Sequence, residues 1–389
     1  LYKYACLMKL FDLHPQPRIV FGSGSIDQLG QLAAEWSPRR ALVVSDTGIV
    51  SAGHTARGIE ALEREGIETH LFDAVHENPT THDVERGVIA AQCIEPDLIV
   101  GLGGGSSMDC AKGINFVFSC GGNMEDYWGI GKTTGPLLPM IAVPTTAGTG
   151  SEAQSFALIS HPETGQKMAC GDRRAAFRIA VLDPELTQTQ PPHVTALTGI
   201  DAITHAVETF VTTKRNPFSA AYSREAWRLL SENFPRVLAA PEEIEPRGGV
   251  QLGACFAGLA IENSMLGAAH AMANPLTAKF GITHGQAVGV MMPHVITFNA
   301  PVAEDAYCEL FSAVEASVGS HRLTGVEGLA DLIAHWLELA ELKICLKDLG
   351  VEKAVLTELA DLAAQQWTAG FNPRKVEVKQ FHELYLAAF

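Results

Sequence analysis

Three histidines and one aspartate stand at spacings that could hold a metal ion. In TGIDAITHAVE, Asp201 and His205 are four residues apart. On a helix both would project from one face, about one turn apart. Two ligands so placed can clamp one ion without moving backbone. Read alone, D-x-x-x-H is a common surface pair. Here the neighbours Ile203, Ala206 and Val207 make the helix largely apolar, so the two polar groups should point somewhere protected. A buried charge needs a partner, and a divalent cation is one. His270, in GAAHAMANPL, and His284, in ITHG, extend the set. Each alone reads as a hydrogen-bonded core or loop histidine. Together, three imidazoles and a carboxylate suit a first-row metal with an open position, Fe2+ or Zn2+. His294, in MMPHV, reads as a supporting or structural residue. Asn274, one helical turn beyond His270, offers an amide and not a further imidazole.

Two glycine-rich stretches suggest a second kind of chemistry. DLIVGL runs into GGGSSMD, with Gly103, Gly104, Gly105 and Ser106 leading into a helical pattern. Residues without Cβ let backbone approach a pyrophosphate closely, and the free N–H groups of a helix start then face its oxygens. A tight turn needing positive φ is the alternative, but one glycine would serve that. The pattern is neither the Walker A sequence nor G-x-G-x-x-G. PTTAGTGSE (Pro144–Glu152) follows the next strand signal, and Thr145, Thr146 and Thr149 could bond phosphate or carboxamide groups of the same ligand. Simple capping of a helix near Glu152 is the competing reading. Asp46 ends an earlier strand. Its carboxylate could accept ribose hydroxyls and repel a 2′-phosphate, favouring NAD over NADP, or it could only hold a turn before Gly48.

These residues need elements to position them. Strand signals at Ala41–Ser45, Thr69–Asp73, Asp97–Leu102, Met140–Pro144 and Arg178–Asp183 alternate with helical patterns at Thr55–Glu65, Thr81–Cys93 and Ser107–Val117. Thr80 or Thr81 is the expected N-cap of the middle one. That alternation predicts a mostly parallel sheet covered on both faces. Beyond about Pro184 strand signals almost vanish, and Ala/Leu-rich segments take over at Gly199–Phe210, Ser219–Leu230, Val250–Leu266, Val326–Leu339 and Val355–Trp367. PEEIEPRG (Pro241–Gly248) and FNPR (Phe371–Arg374) read as loops. The expectation is an α/β nucleotide-binding domain over residues 1–184 and an all-helical metal-binding domain over 185–389. Ligands should lie at the carboxyl ends of the strands, facing the cleft between domains.

Bulk properties narrow the choice. Hydrophobic residues make up 47% and charged residues 19%, a globular composition with ample core material. The net charge of −16, with no dense basic block, argues against a nucleic-acid partner. No uninterrupted apolar run suits a bilayer: the best stretch, around Leu252–Leu266, carries Glu262 and Asn263. Eight scattered cysteines without C-x-x-C spacing suggest a reduced, cytoplasmic protein. The first residues lack a signal peptide's basic-then-apolar order, and Leu1 in place of Met reads as a processed end or a cloning remnant.

The motifs GGGSSMD, PTTAGTGSE, TGIDAITHAVE, GAAHAMANPL and ITHG…MMPHV, with PRIVFGSGSIDQL and ENPT (Glu77–Thr80) before them, resemble the iron-containing alcohol dehydrogenases in order and approximate spacing over nearly the whole chain. The resemblance implies the fold shared with dehydroquinate synthase-like enzymes, with NAD and metal meeting in the cleft and a homodimer or higher homo-oligomer. Carried over residue by residue, it makes Asp201, His205, His270 and His284 the metal ligands. Gly103, Gly104, Gly105 and Ser106 would hold pyrophosphate, and Asp46 would face the adenosine ribose. Thr145, Thr146 and Thr149 would line the cofactor, Lys167 would reach the nicotinamide-side ribose, and Asp109 would lie near it. The implied reaction is hydride transfer between NAD(H) and a small primary alcohol or aldehyde. At position 274 many members of that family have histidine, often assigned to proton relay or substrate contact. Asn274 cannot relay by titration, which is either drift or a sign of a polar or anionic aldehyde substrate. Phe156, Ile261 and Met265 are expected pocket walls, or ordinary core. Alternatives are a glycerol dehydrogenase-like or dehydroquinate synthase-like chemistry, or a weakly catalytic scaffold subunit. His284 and the scarcity of clustered Lys/Arg argue against the first two, and the intact ligand set against the third.

Overall fold

The computed structural model describes residues 11–13, 16–314 and 324–389. The chain forms two compact units, His14–Gln190 and Leu1–Leu13 with Pro191–Phe389.

The His14–Gln190 unit begins with β1 (Arg18–Phe21), a short 3-10 turn at Ser25–Gln28, and α1 (Leu29–Ala33). Then come β2 (Arg40–Val44), α2 (Thr47–Ser51), α3 (His54–Arg64), β3 (Glu68–Phe72), α4 (Thr81–Ile94), β4 (Leu98–Gly103) and α5 (Gly105–Cys120). β5 (Gly129–Ile130), β6 (Met140–Pro144), β7 (Phe156–Ser160), β8 (Lys167–Gly171) and β9 (Ile179–Leu182) complete it. Six strands form one parallel sheet in the order β1-β9-β6-β4-β2-β3. The apolar runs are its central strands: β4 and β6 are buried along their whole length, as strands covered on both faces must be. At the edge, β3 carries exposed Glu68 and His70. One face packs Val43, Val100, Leu102, Ile141, Val143, Ile179 and Val181 against Ile26, Leu29, Ala61 and Leu62. Each of these valines, leucines and isoleucines stabilises by about 1.5–3 kcal/mol.

The sheet order fixes where a ligand can sit. From β2 the chain steps outward to β3, then returns to place β4 on the other side of β2. The carboxyl ends of β2 and β4 therefore flank the switch point where open α/β sheets have their crevice. Asp46 follows β2 and the glycine loop ends β4.

The five strands expected here form within a residue or two of their predicted ends. β1 and a separate three-stranded sheet, β5-β8-β7, lie outside that expectation. α4 starts with a capping box: the Thr80 N–H donates to Asp83 Oδ2 at 2.8 Å, and Asp83 is buried.

The other unit is helical among its described residues. It holds α6 (Pro192–Val211), α7 (Pro217–Ala239), α8 (Ile244–Glu262), α9 (Ala268–Phe280), α10 (His284–Ser312), α11 (Gly325–Leu339), α12 (Leu356–Ala364) and α13 (Val378–Ala387). Trp227 of α7 and Trp336 of α11 are fully buried with ring centroids 5.6 Å apart. The loop expected over Pro241–Gly248 is corrected: α8 begins at Ile244, with Pro246 in its first turn. A proline there sacrifices only an N–H that has no helical partner. No helix of the described residues is long and apolar enough to cross a membrane.

Candidate metal centre and dinucleotide loops

α6 carries Asp201, His205 and Glu208 along one face. It starts with Pro192 at its first position, a pre-organised helix entry, and ends at Val211, with Thr212 as its C-cap. α9 presents His270, and α10 opens with His284. These three helices bring four side chains to one point. Asp201 Oδ1 lies 3.4 Å from His205 Nε2, 3.6 Å from His270 Nε2 and 3.8 Å from His284 Nε2. Ligand atoms of Asp201, His270 and His284 all lie within 4.8 Å of one another. The His205 and His270 rings stack at 4.8 Å, and those of His270 and His284 tilt at 5.3 Å.

This cluster suits a cation. The separations exceed a normal N–H···O bond, while ligands about 2.1 Å from a tetrahedral ion stand roughly 3.4 Å apart. Asp201 Oδ1 and His270 Nε2 are buried and have no hydrogen-bond partner, a costly state that a shared cation would relieve. Burial alone would raise the Asp201 pKa, but His205, His270 and His284 around it hold the carboxyl well below its usual range. Burial alone would lower that of His270, yet Glu208 and Asp201 push it up to about 9. Positive charge is thus favoured at this point. His284 is the most open member, its side chain 28% exposed against 4–7% for Asp201, His205 and His270. His294, half-buried further along α10, is not among the converging ligand atoms.

Glu208 was not among the expected site residues. It lies seven residues after Asp201, and its Oε2 accepts from His270 Nδ1 at 2.6 Å. The available signal was a second acid on the face that already carried Asp201 and His205. Asn274 lies one turn beyond His270 and donates from Nδ2 to Gln366 Oε1 at 3.1 Å. Gln366 was also missed. Ile261 is buried in the last turn of α8, and Met265, three residues past the end of that helix, is half-buried.

In the other unit, Gly103 has φ +153°, and a Cβ there would meet Ser107 Oγ at 2.4 Å. Only glycine fits. α5 starts at Gly105 with no side chain capping its first turn, so N–H groups remain for an anion. Ser106 Oγ accepts from Asn78 N at 3.2 Å, tying the ENPT segment to this loop. Thr145 N donates to Gly103 O at 2.9 Å. A Cβ on Gly104 would contact Thr146, and one on Gly105 would strike Thr149. The two expected loops therefore lie against each other. Thr145 Oγ1 and Ser107 Oγ are buried without a hydrogen-bond partner, as suits a site meant for a polar ligand. Thr149 also caps locally, its Oγ1 accepting from Ser151 N at 3.3 Å.

Asp46 likewise caps its own helix, with Oδ1 accepting from Gly48 N and Ile49 N of α2 at 2.9 and 3.1 Å. Its Oδ2 lies 3.5 Å from where a Gly103 Cβ would stand, so the carboxylate reaches the glycine loop as well. Asp109 is buried beneath that loop and accepts from Ser151 Oγ at 2.5 Å, with Lys112 Nζ 3.6 Å away. Burial raises its pKa, against the pull of Lys112 and Ser151. Lys112 is fully buried and donates to Ser151 O, Ser151 Oγ and Phe156 O at 2.7–2.8 Å. Lys167 opens β8, half-buried. The Phe156 ring lies over Gly171 of the paired strand, where a Cβ would meet it at 2.4 Å.

Matches to known proteins agree with this geometry. Residues 15–184 match the family described as iron-containing alcohol dehydrogenase, and residues 195–389 match the C-terminal domain of the Fe-containing alcohol dehydrogenase family. The chain belongs to the iron-containing alcohol dehydrogenase family. It is an oxidoreductase of the NAD- and iron-dependent class acting on alcohols. It is 31% identical to a 1,3-propanediol dehydrogenase of Klebsiella pneumoniae, over 98% of this chain and 99% of that one. It is 33% identical to alcohol dehydrogenase 4 of Schizosaccharomyces pombe, over 91% of this chain and 83% of that one. A crystal structure of 1,3-propanediol oxidoreductase superposes with a TM-score of 0.93 at 30% identity, covering 98% of this chain and all of the other.

Proposed function

We propose that this enzyme interconverts a small polar primary alcohol and its aldehyde, using Asp201, His205, His270 and His284 to hold iron. The observation that carries the reading is the convergence of three imidazole Nε2 atoms on the buried, unbonded Oδ1 of Asp201. When bound, iron supplies Lewis acidity at the substrate oxygen, and nicotinamide supplies the hydride exchange. The chain's own residues orient both. His284, the most exposed of the four, marks the open side of the cluster. Ile261 and Met265 are the proposed apolar walls in that unit; the position of Phe156 is accounted for by its packing on Gly171.

Gly103, Gly104, Gly105 and Ser106 are assigned to pyrophosphate, with Thr145, Thr146 and Thr149 beside them. Asp46 is assigned to the adenosine ribose, while it also caps its helix. Asp109 acts from beneath, through Ser151 and Lys112, by holding the second loop in place. Lys167 is assigned to the nicotinamide-side ribose on family resemblance. Zinc is the alternative metal that the same donor set would accept.

The polar substrate class rests on Asn274. Its amide stands one turn from His270 and pairs with the Gln366 amide, so two hydrogen-bonding groups that do not titrate occupy that place. The alcohol proton must leave by a carrier other than this side chain. The relative named for 1,3-propanediol supports a small substrate with a second polar group. The scattered cysteines, with no C-x-x-C spacing, support a reduced, cytoplasmic setting. A homo-oligomer is proposed on resemblance. Aldehyde-dependent NADH oxidation by the Fe2+-loaded protein tests the function, with hydroxyaldehydes expected to outperform alkanals of equal length. No turnover over a broad aldehyde panel, with metal and NAD both bound, would overturn it.

A further inference from the structure

The first turn of α9 has no cap of its own. Its N-cap residue is Gly267, which offers no side chain. Three successive N–H groups are instead taken by side chains from distant parts of the chain. Glu208 of α6 accepts from Gly267 N at 3.0 Å through Oε2 and from Ala269 N at 2.7 Å through Oε1. Asn372, in the FNPR segment, accepts from Ala268 N at 3.3 Å through Oδ1. Asn372 is itself held by Asn299, which it bonds in both directions. The absence of a Cβ at Gly267 makes room for this: one placed there would stand 3.0 Å from Asn372 Oδ1 and 3.1 Å from Glu208 Oε1.

The same Glu208 carboxylate also takes the ring N–H of His270, at 2.6 Å. A carboxylate accepts and cannot donate, so this contact keeps a proton on Nδ1 and makes Nε2, 3.6 Å from Asp201 Oδ1, the nitrogen left to bind an ion. We propose that Glu208 is the positioning residue of the metal centre, setting the tautomer and aim of His270 while it pins the helix that carries it. The proposal rests on the reading of Asp201 and His270 as metal ligands. Glutamine would not substitute. Glu208 accepts three bonds over two oxygens, and an amide would turn an NH2 toward at least one donor. Partners that orient a metal-bound histidine typically contribute 10–100-fold in metal affinity.

The test is titration of the full-length, chelator-stripped protein with Co2+, read by its visible absorption bands, which report ligand geometry directly. Three variants are compared: Glu208→Gln, Gly267→Ala and Asp201→Ala. Glu208→Gln should weaken Co2+ binding by about 10–100-fold and shift the bands, with far-UV circular dichroism unchanged. Gly267→Ala, which crowds the carboxylate without removing it, should shift the bands in the same direction with a smaller loss. Should Glu208→Gln fail to fold, Gly267→Ala decides the matter. Wild-type affinity and bands in the folded variant, beside an Asp201→Ala protein that no longer binds, would overturn the role of Glu208 and leave the ligand set standing. Wild-type binding in Asp201→Ala would overturn both.

Discussion

Replacing Gly105 by alanine separates two reasons for a glycine at that position. A Cβ there would stand 2.8 Å from both Cγ2 and Oγ1 of Thr149 and 3.1 Å from its Cβ. Ordinary carbon contacts are about 3.5–4.0 Å, so three atoms of a stiff β-branched side chain must retreat. Overpacking of this kind costs about 1–3 kcal/mol. Gly105 is the first residue of α5, and alanine returns up to about 1 kcal/mol of helix propensity. The net expectation is a destabilisation of about 1–2 kcal/mol, measured by urea unfolding. In a Thr149→Ala background two of the three close atoms are gone, so the same change should cost about 1 kcal/mol less. Equal cost in both backgrounds would refute the packing argument. Fluorescence titration with NADH reads the second reason. If Gly105 also lets pyrophosphate approach the backbone, its affinity should stay weakened in the double variant relative to Thr149→Ala alone, even where stability recovers. Full recovery of affinity would confine the glycine to a packing role.

Asp46→Ser keeps a capping oxygen for α2 but removes the charge facing the glycine loop. Like charges about 4 Å apart in water-like surroundings repel by about 1 kcal/mol, so the ratio of kcat/KM for NADPH over NADH should rise roughly fivefold; an unchanged ratio would confine Asp46 to capping. Lys112→Met should cost about 3–5 kcal/mol in urea unfolding, because it leaves buried Asp109 without its cation and strips donors from Ser151 O and Phe156 O; a loss below about 1 kcal/mol would contradict the buried network.

The sequence shows the parallel sheet clearly because its central strands are continuous apolar runs ended by glycine or proline, as at Leu98–Gly103 and Met140–Pro144. β7 and β8 were hidden because FALIS and KMACG pair in a separate three-stranded sheet, outside the strand–helix alternation that marks the main one. α9 and α10 were hard to read for another reason. Pro275 interrupts one, and Pro293 and Pro301 the other, and both are apolar on most sides, so no amphipathic period stands out. The candidate metal cluster was legible in part: residue type and four-residue spacing pointed to Asp201 and His205, and family resemblance joined them to His270 and His284, whose Nε2 atoms lie beside Asp201 Oδ1. Glu208 was not, because its partners are backbone N–H groups and a ring nitrogen 59–62 residues away. Asp46 and Thr149 each combine a local capping bond with a place beside the glycine loop, so neither reading of them had to exclude the other.

The central claim is that Asp201, His205, His270 and His284 hold one iron ion. Anomalous diffraction across the iron K edge, from crystals of the Fe2+-loaded protein, tests it most directly. A single iron peak is expected about 2.0–2.2 Å from Asp201 Oδ1 and from the Nε2 atoms of the three histidines. An iron peak elsewhere, or a fully loaded protein in which any of these four side chains points away from the ion, would contradict it.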